Sequence, residues 1–434
     1  MFWLYDVGFF IFAVVSLPHF LGKLRLAEDP RKLVRERFGF LPSDLISKGQ
    51  EKSCMWIHAV SVGEVLAAEP LIKLLREKRP DLHIVLTTVT PTGQKIAQRW
   101  AGEGVRVFYF PLDFRFAVSR FFEALNPSAL LLMETEIWPN VLREARRRKV
   151  PVLVVNGRLS EKSFRGFRRF SVIFKPLLGN VDLFLVQTAA DQERLVALGV
   201  NASAIQVTGN MKLDVFDLNG QSLSREDLRQ RWGFLSSDRI VIGGSTHPGE
   251  EEILFRVLRR LKEEKFSAKL LVAPRHIERS RKILEQAKKY GFQTALASEE
   301  KKSSFEVLIL DQLGELRKLY AMADAVVMGG SFVRHGGQNP VEPAAVSRPI
   351  IHGPWVFNFQ EIYRRLEEEG GSLRVKDEDE LFFALKRILM NEREQLHLGN
   401  RAYEVLKKLR GASERNFGWI NQLIKEEGVK SEFR

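Results

Sequence analysis

Two stretches, HAVSVGEVLAAEPLIKLLRE at residues 58–77 and IGGSTHPGEEEILFRVLRRLKE at residues 242–263, share one plan. Each leaves an apolar strand through a polar, glycine-bearing loop and enters a helix whose apolar residues recur at helical spacing. Around the first, MWIHAV (55–60) reads as a buried strand, SVGE as a loop and VLAAEPLIKLLREK as a helix. HIVLTTV, VRVFYF, ALLLME, VPVLVVN and VDLFLVQT follow as strands, several preceded by helical stretches. Around the second, RIVIGGS is a strand, THPGEE a loop and EILFRVLRRLKEE a helix, with AKLLVAP, FEVLILD and AVVMGGS as further strands. Such alternation is what a parallel sheet requires, because each crossover needs a helix. The expected fold class is α/β, with two Rossmann-like domains facing each other across a cleft and ligands bound at the carboxyl ends of the strands.

The polar stretch 213–234 suits a linker followed by a short helix. It divides the chain into an amino-terminal domain over 23–212 and a carboxy-terminal domain over 213–434, whose final helices are candidates to pack back on the first. A length of 434 residues fits two or three domains. With 45% hydrophobic and 28% charged residues, the chain has the composition of a globular protein with a substantial core. A mean hydropathy of −0.15 excludes a polytopic membrane protein. The single cysteine, Cys54, excludes an intramolecular disulfide and a Cys-based metal cluster, which fits a reducing compartment. A net charge of +13 points to an anionic partner: nucleic acid, a phosphorylated substrate or an acidic membrane.

The amino terminus carries an apolar run. From residue 7 to 22 the chain reads VGFFIFAVVSLPHFLG, and with Asp6 tolerated near one end the run reaches back to Phe2. As a helix this spans about 30 Å, one hydrocarbon core. No basic residue precedes the run and no small-residue cleavage site follows it, so residues 1–22 are expected to be an uncleaved membrane anchor. Phe2, Trp3 and Tyr5 suit one interface, and Lys23, Arg25, Arg31, Lys32, Arg35 and Arg37 are expected to face the cytoplasm at the other. A buried terminal helix is the competing reading.

Several side chains stand where such sheets place chemistry. Glu64 follows a strand beside a glycine, suited to a general base or, on position alone, to a helix-start carboxylate held by the dipole. METEIWPN puts Glu134 and Glu136 at the end of an apolar run, poised for function or for a salt bridge. Lys212, in GNMKLD, is either a solvated loop lysine or a cation able to offset substrate charge. APRH places Pro274, Arg275 and His276 after a strand, where a guanidinium suits a phosphate or carboxylate. GGSFVRHGGQNPVEPAA (329–345) leads from a strand into a helix: Gly336 and Gly337 permit close backbone approach, helix-start amides favour phosphate, and Glu342 suits ribose hydroxyls. DQLGEL, with Gly314 and Glu315, is a second such loop. KDEDE (376–380) reads as a solvated helix start. In RLSEKSFRGFRRFSVIFKPLLG (158–179), Arg165, Arg168, Arg169 and Lys175 interleave with Phe164, Phe167, Phe170 and Phe174. That composition suits a segment gripping an anionic amphiphile, a nucleic-acid reader, or an amphipathic helix with its Phe face in the core.

Taken together and in order, HAVSVGE, TPTG, METEIWPN, NGRLS, GNMKLD, THPGEE, APRH, GELRKLY and GGSFVRHGGQNPVEPA resemble the membrane-anchored Kdo transferases of lipopolysaccharide assembly, over nearly the whole chain. The resemblance implies the GT-B glycosyltransferase fold and inverting transfer of 3-deoxy-D-manno-octulosonate (Kdo) from CMP-Kdo to a lipid A precursor, lipid IVA. Motif by motif it implies Glu64 as general base, with Glu134 and Lys212 stabilising the transition state. Pro274, Arg275, Leu313, Gly314, Glu315, Asn339, Pro340, Val341 and Glu342 would hold CMP. Gln338 departs from the pattern, His being expected there in relatives, and no role follows for its side chain. The first domain is expected to take the lipid acceptor, with Arg165, Arg168, Arg169 and Phe167 against its phosphates and acyl chains. No carboxylate pair for Mg²⁺ stands out, and Arg275 and Lys212 suffice for a monophosphate leaving group, so no metal or other cofactor is expected. The implied partners are CMP-Kdo, the lipid A precursor and the inner membrane, with the catalytic body cytoplasmic and no nucleic acid bound. A membrane-anchored transferase using a UDP-sugar and a non-enzymatic basic protein binding membrane or nucleic acid are the competing functions.

Overall fold

Every residue of Cys54–His58 (β1) is buried, and its side chains alternate between two cores. Cys54 and Trp56 face Phe110, Phe121 and Phe122, while Met55 and Ile57 face Val65, Ala68, Leu71 and Ile72 of the helix that follows. A strand apolar on both faces is stable only when helices cover both, which dictates a parallel sheet with crossovers above and below. Trp56 makes the larger investment: it packs against Phe121 at a centroid separation of 5.2 Å and donates its indole N–H to Thr87 at 2.9 Å.

The computed structural model describes residues 2–16, 22, 29–42, 53–102, 104–215, 224–299 and 304–432. The chain divides into two units, Met1–Val215 with Arg410–Arg434, and Phe216–Leu409. In the first unit, β1 is joined by His83–Thr88 (β2), Val105–Tyr109 (β3), Pro127–Met133 (β4), Val152–Gly157 (β5), Leu183–Val186 (β6) and Ile205–Val207 (β7), all parallel, in the order β3-β2-β1-β4-β5-β6-β7. The second unit repeats the architecture with Ile240–Thr246 (β8), Lys269–Pro274 (β9), Thr294–Leu296 (β10), Val307–Ile309 (β11), Ala325–Met328 (β12), Ile350–His352 (β13) and Ser372–Arg374 (β14), again all parallel, in the order β10-β11-β9-β8-β12-β13-β14. In each sheet the connection leaves the central strand in one direction and its neighbour in the other, so a crevice opens between β1 and β4 and between β8 and β12. Gly244, in β8, lies where an added Cβ would collide with the Tyr320 ring, so only glycine lets that ring pack against the central strand.

The last helix, Ala412–Glu432, belongs to the first unit. Ala412, Phe417 and Ile420 enter the core that also holds Met211 and Leu71. Asp214 accepts from the backbone N–H groups of Gly411 (2.8 Å) and Ser413 (2.7 Å), and Asn416 donates to Thr208.

At the other end, Phe2–Val15 is a 14-residue helix, about 21 Å long. No helix among the described residues is long and apolar enough to cross a membrane. Residues 17–21, with Lys23 and Arg25 of the basic cluster and 216–223 of the linker, lie outside the described residues. Arg37 departs from the solvent-facing role its charge suggested: it is buried and donates to the Val89 carbonyl at 2.6 Å. Beside it the carboxylate of Glu36 accepts from the Tyr109 N–H. These two residues dock the helix Pro30–Arg37 against the sheet.

Candidate functional site

The β1 loop is shorter than its pattern suggested. The helix begins at Val62, so Glu64 is its third residue and not part of the loop before it. Its carboxylate turns back to accept from the Val60 N–H (2.8 Å) and the Ser61 hydroxyl (2.8 Å). The helix-start reading of Glu64 therefore holds: its carboxylate closes the first turn, and it does so beside the β1–β4 crevice. The residue is only 7% exposed, and burial raises its pKa, opposed by the two hydrogen bonds. Two further groups act on it through space, the charge of Glu134 raising its pKa and that of Lys212 lowering it.

Glu134 stands one residue beyond β4 with φ +56°, a left-handed backbone that takes it out of strand alternation. Its N–H is fixed by the Val155 carbonyl at 2.9 Å, and its carboxylate accepts from Lys212 Nζ at 2.8 Å. The loop carrying Lys212 is held in turn: Asn156, at the end of β5, accepts from the Met211 N–H (2.9 Å) and Asn210 from the Lys212 N–H (3.0 Å). Glu136 joins the same group. Burial, then the charges of Glu64 and Glu134, push its pKa up to about 7. The crevice thus holds three carboxylates and one ammonium, an arrangement suited to taking a proton near neutral pH while balancing developing charge.

Elsewhere in the first unit, Glu161–Arg169 and Ser171–Leu178 are two short helices that sort the Phe/Arg segment into faces. Phe164, Phe167 and Phe174 pack on the core, the last two stacked at 4.1 Å. Phe170, Val172 and Ile173 are exposed, as are Arg165, Arg168 and Arg169. Arg168 lies over the Phe164 ring, Arg169 over Phe170, and Arg165 pairs with Glu161. The helix Phe2–Val15 is tied down by polar bonds. Tyr5 donates to Asp113 (2.7 Å), Asn140 donates to Asp6 (2.7 Å), and Phe9 packs edge-on against Phe114. Val7, Phe10, Ile11, Val14 and Val15 remain exposed.

In the second unit, the THPGEE motif is again partly helix: Glu250 and Glu251 open the helix Glu250–Glu263. Buried Glu250 accepts from the backbone N–H groups of His247 (2.8 Å), Gly330 (2.7 Å), Ser331 (3.0 Å) and Phe332 (2.9 Å), binding the loop after β8 to the loop after β12. Glu251 accepts from the Thr246 hydroxyl and from both terminal nitrogens of Arg279 (2.9 and 3.1 Å), binding in the segment after β9. Two consecutive carboxylates therefore assemble three strand-end loops. Pro274 is buried at the end of β9, and the exposed Arg275 is anchored by its N–H to the Thr246 carbonyl. Asn339 accepts from the Val341 N–H (3.2 Å), with Pro340 buried beside it. Leu313 is 78% exposed and Gly314 has φ +84°, forming a turn that leads through Glu315 into Leu316–Leu319. Burial raises the pKa of Glu342, opposed through space by the charge of Arg317 in the LGELRK segment. Sequence reasoning gave no role to Glu250, Glu251, His247 or Gln338. The signal available was the pair of acidic residues closing THPG at the start of a strongly amphipathic helix.

Residues 32–215 match the family described as 3-deoxy-D-manno-octulosonic-acid transferase (kdotransferase). The chain is 36% identical over 402 residues to the 3-deoxy-D-manno-octulosonic acid transferase of Haemophilus influenzae, covering 91% of this chain and 92% of that one. It is 33% identical over 371 residues to the protein of that name from Chlamydophila psittaci, covering 85% and 84%. Among solved structures, UDP-GlcNAc 2-epimerase from Neisseria meningitidis shares the two-sheet fold, with TM-score 0.58 at 13% identity over 86% of this chain and 100% of that one. With its sequence matched across nine-tenths of its length at 36% identity, the chain belongs to the 3-deoxy-D-manno-octulosonic acid transferase family and is a glycosyltransferase.

Proposed function

We propose that the protein transfers Kdo from CMP-Kdo to the lipid A precursor, lipid IVA, in lipopolysaccharide synthesis, with inversion at the anomeric carbon. The observation that carries this reading is the grouping of Glu64, Glu134 and Lys212 at the β1–β4 crevice in a member of the Kdo transferase family. An acceptor hydroxyl oxygen attacks the anomeric carbon and gives its proton to Glu64. The bond from that carbon to the phosphate oxygen breaks, and CMP leaves with the electron pair. Lys212, oriented by Glu134, offsets negative charge in the transition state. Glu64 keeps lone pairs free beyond the bonds from Val60 and Ser61, and its raised pKa makes it a stronger base than an exposed carboxylate.

On this reading the second unit binds CMP through Pro274 and Arg275, the turn at Leu313, Gly314 and Glu315, and the run Asn339, Pro340, Val341 and Glu342. The first unit takes the lipid. Arg165, Arg168 and Arg169 meet its phosphates, and the apolar face around Phe170 meets acyl chains, with Phe167 bracing that helix from beneath. The exposed residues Val7, Phe10, Ile11, Val14 and Val15 support an amino-terminal anchor on the inner membrane, with the catalytic body in the cytoplasm. The test is incubation with CMP-Kdo and a tetraacylated lipid A precursor, followed by mass spectrometry of the lipid. A mass gain of one or more Kdo residues is expected. Transfer from a UDP-sugar and none from CMP-Kdo would overturn the donor assignment.

A further inference from the structure

His247 sits at the second unit's topological switch point, between the ends of β8 and β12, the counterpart of the position Glu64 takes between β1 and β4. It is 7% exposed, yet its ring stacks on that of exposed His335 at 4.1 Å, and His276 lies edge-on to it at 6.4 Å. Its Nε2 is 3.0 Å from the amide nitrogen of Gln338. With that nitrogen as donor, Nε2 is the acceptor and the ring proton is assigned to Nδ1. Among the described residues nothing hydrogen-bonds Nδ1, so the imidazole presents an unused N–H.

The charges around this N–H favour an anion. Burial first, then His335, His276, Arg275 and Arg279, lower the His247 pKa to about 4, so the ring is neutral at pH 7 and remains a one-proton donor. The neighbouring carboxylates are occupied: Glu250 by four backbone N–H groups, one of them that of His247 itself, and Glu251 by Thr246 and Arg279. Arg275 has no ion-pair partner among the described residues. The backbone of His247 is thus fixed by Glu250, and its ring by Gln338 and His335. The backbone that carries Gln338 is fixed in turn, its main-chain carbonyl accepting from the Tyr363 hydroxyl at 2.8 Å and its N–H donating to the Gly329 carbonyl at 3.0 Å. A buried, doubly braced donor beside an unpaired guanidinium is placed for binding.

We propose that His247 is a ligand-contacting residue of the donor site, its Nδ1–H donating to an anionic oxygen of the nucleotide sugar, with Gln338 as the positioning residue that fixes the ring. The anionic oxygen belongs either to the phosphate or to the sugar-acid carboxylate. This rests on the donor reading above.

The experiment measures equilibrium binding of cytidine, CMP and CMP-Kdo to the full chain and to His247→Ala, His247→Asn, Gln338→Ala and Gln338→His, each checked for folding by circular dichroism. If the phosphate is the partner, His247→Ala weakens CMP about tenfold and leaves cytidine unchanged. If the carboxylate is the partner, CMP is unchanged and CMP-Kdo weakens by that factor. His247→Asn, which keeps an N–H in reach, retains more affinity than His247→Ala. Gln338→Ala weakens the same ligand by a smaller factor, and Gln338→His restores it. Unchanged affinity for all three ligands in a folded His247→Ala, or an equal loss for cytidine, overturns the proposal. A wild-type chain that binds UMP and not CMP overturns the donor reading instead, and uridine against UMP then decides the role of His247 by the same comparison.

Discussion

Lys212 Nζ donates to Glu134 Oε1 at 2.8 Å, joining residues 78 positions apart in the chain. The side chains are 44% and 28% exposed, and a pair so open to water adds little stability, about 0–1 kcal/mol. Its consequence is electrostatic. The two charges act on Glu64 with opposite sign, adjusting a proton affinity governed first by burial and by the bonds from Val60 and Ser61.

Glu64→Gln keeps the shape and removes the base, so single-turnover transfer is expected to fall about 10²- to 10⁴-fold with CMP binding unchanged. On the proposed mechanism Glu64 acts ionised, so kcat/KM of the wild type is expected to rise with pH through a pKa raised above the ordinary carboxylate value. Lys212→Met removes the charge that lowers this pKa and shifts the acid limb to higher pH. Glu134→Gln removes the charge that raises it and shifts the limb to lower pH. Limbs moving in the same direction in the two pH–rate profiles would sink the assignment.

Glu136 has a folded pKa of about 7 against an ordinary 4.5. Between those values the folded chain holds a proton that the unfolded chain has lost, so this residue's contribution to stability declines as pH rises through the window and is lowest above 7. Glu136→Gln is therefore expected to leave stability unchanged near pH 4 and to raise it by roughly 1 kcal/mol at pH 8, allowing for partial solvent screening. Urea denaturation at the two pH values measures this. Equal effects at both would show that the carboxylate is not held against its preference.

Much of this was legible in the sequence. Ten strands lie in apolar runs dense enough to read, among them Val307–Ile309, itself three residues long but set within FEVLILD. Ile205–Val207, Thr294–Leu296, Ile350–His352 and Ser372–Arg374 are three residues long, too short to show a period, and tertiary pairing alone makes them strands. Glu64, Glu134 and Lys212 were found as loop residues at strand ends. Their meeting was not legible, because it depends on the left-handed turn at Glu134 and on Asn156 holding the Met211 N–H. In the second unit the glycine loops drew attention, while the groups that assemble them, Glu250 and Glu251, look in sequence like an ordinary acidic helix start.

Arg275→Ala is expected to weaken CMP binding by about 1.5–3 kcal/mol through loss of a charge-assisted contact. Glu342→Ala should weaken it as well, since its partly buried carboxylate feels the charge of Arg317 beside the LGEL turn. Calorimetry on folded variants decides the point. Unchanged affinity in both would remove this face of the second unit from the donor site.

Asp113 accepts from Tyr5 Oη, Asn140 N and Val141 N at 2.7, 3.1 and 3.0 Å, so one buried carboxylate joins the first helix to the start of Pro139–Arg148. Tyr5→Phe removes one of these bonds and should cost about 1–2 kcal/mol, read as faster amide exchange confined to Phe2–Val15. A chain beginning at Leu24 should leave the membrane fraction after a high-salt wash that strips contacts made by Arg165, Arg168 and Arg169. If the full and shortened chains are equally soluble without detergent, the anchor is wrong.

The return of Ala412–Glu432 to the first unit bears on the order in which the protein is made. Strands β1 to β7 leave the ribosome first, but the apolar ground meant for Phe417 and Ile420 stays uncovered, and Asp214 lacks its partners at Gly411 and Ser413, while about 200 further residues are synthesised. The second unit, continuous in sequence, is free to complete itself in that interval. Biosynthesis thus runs opposite to chain order: the half that emerges first finishes last, and it spends the wait with an exposed greasy strip that a chaperone or a neighbouring nascent chain is able to occupy.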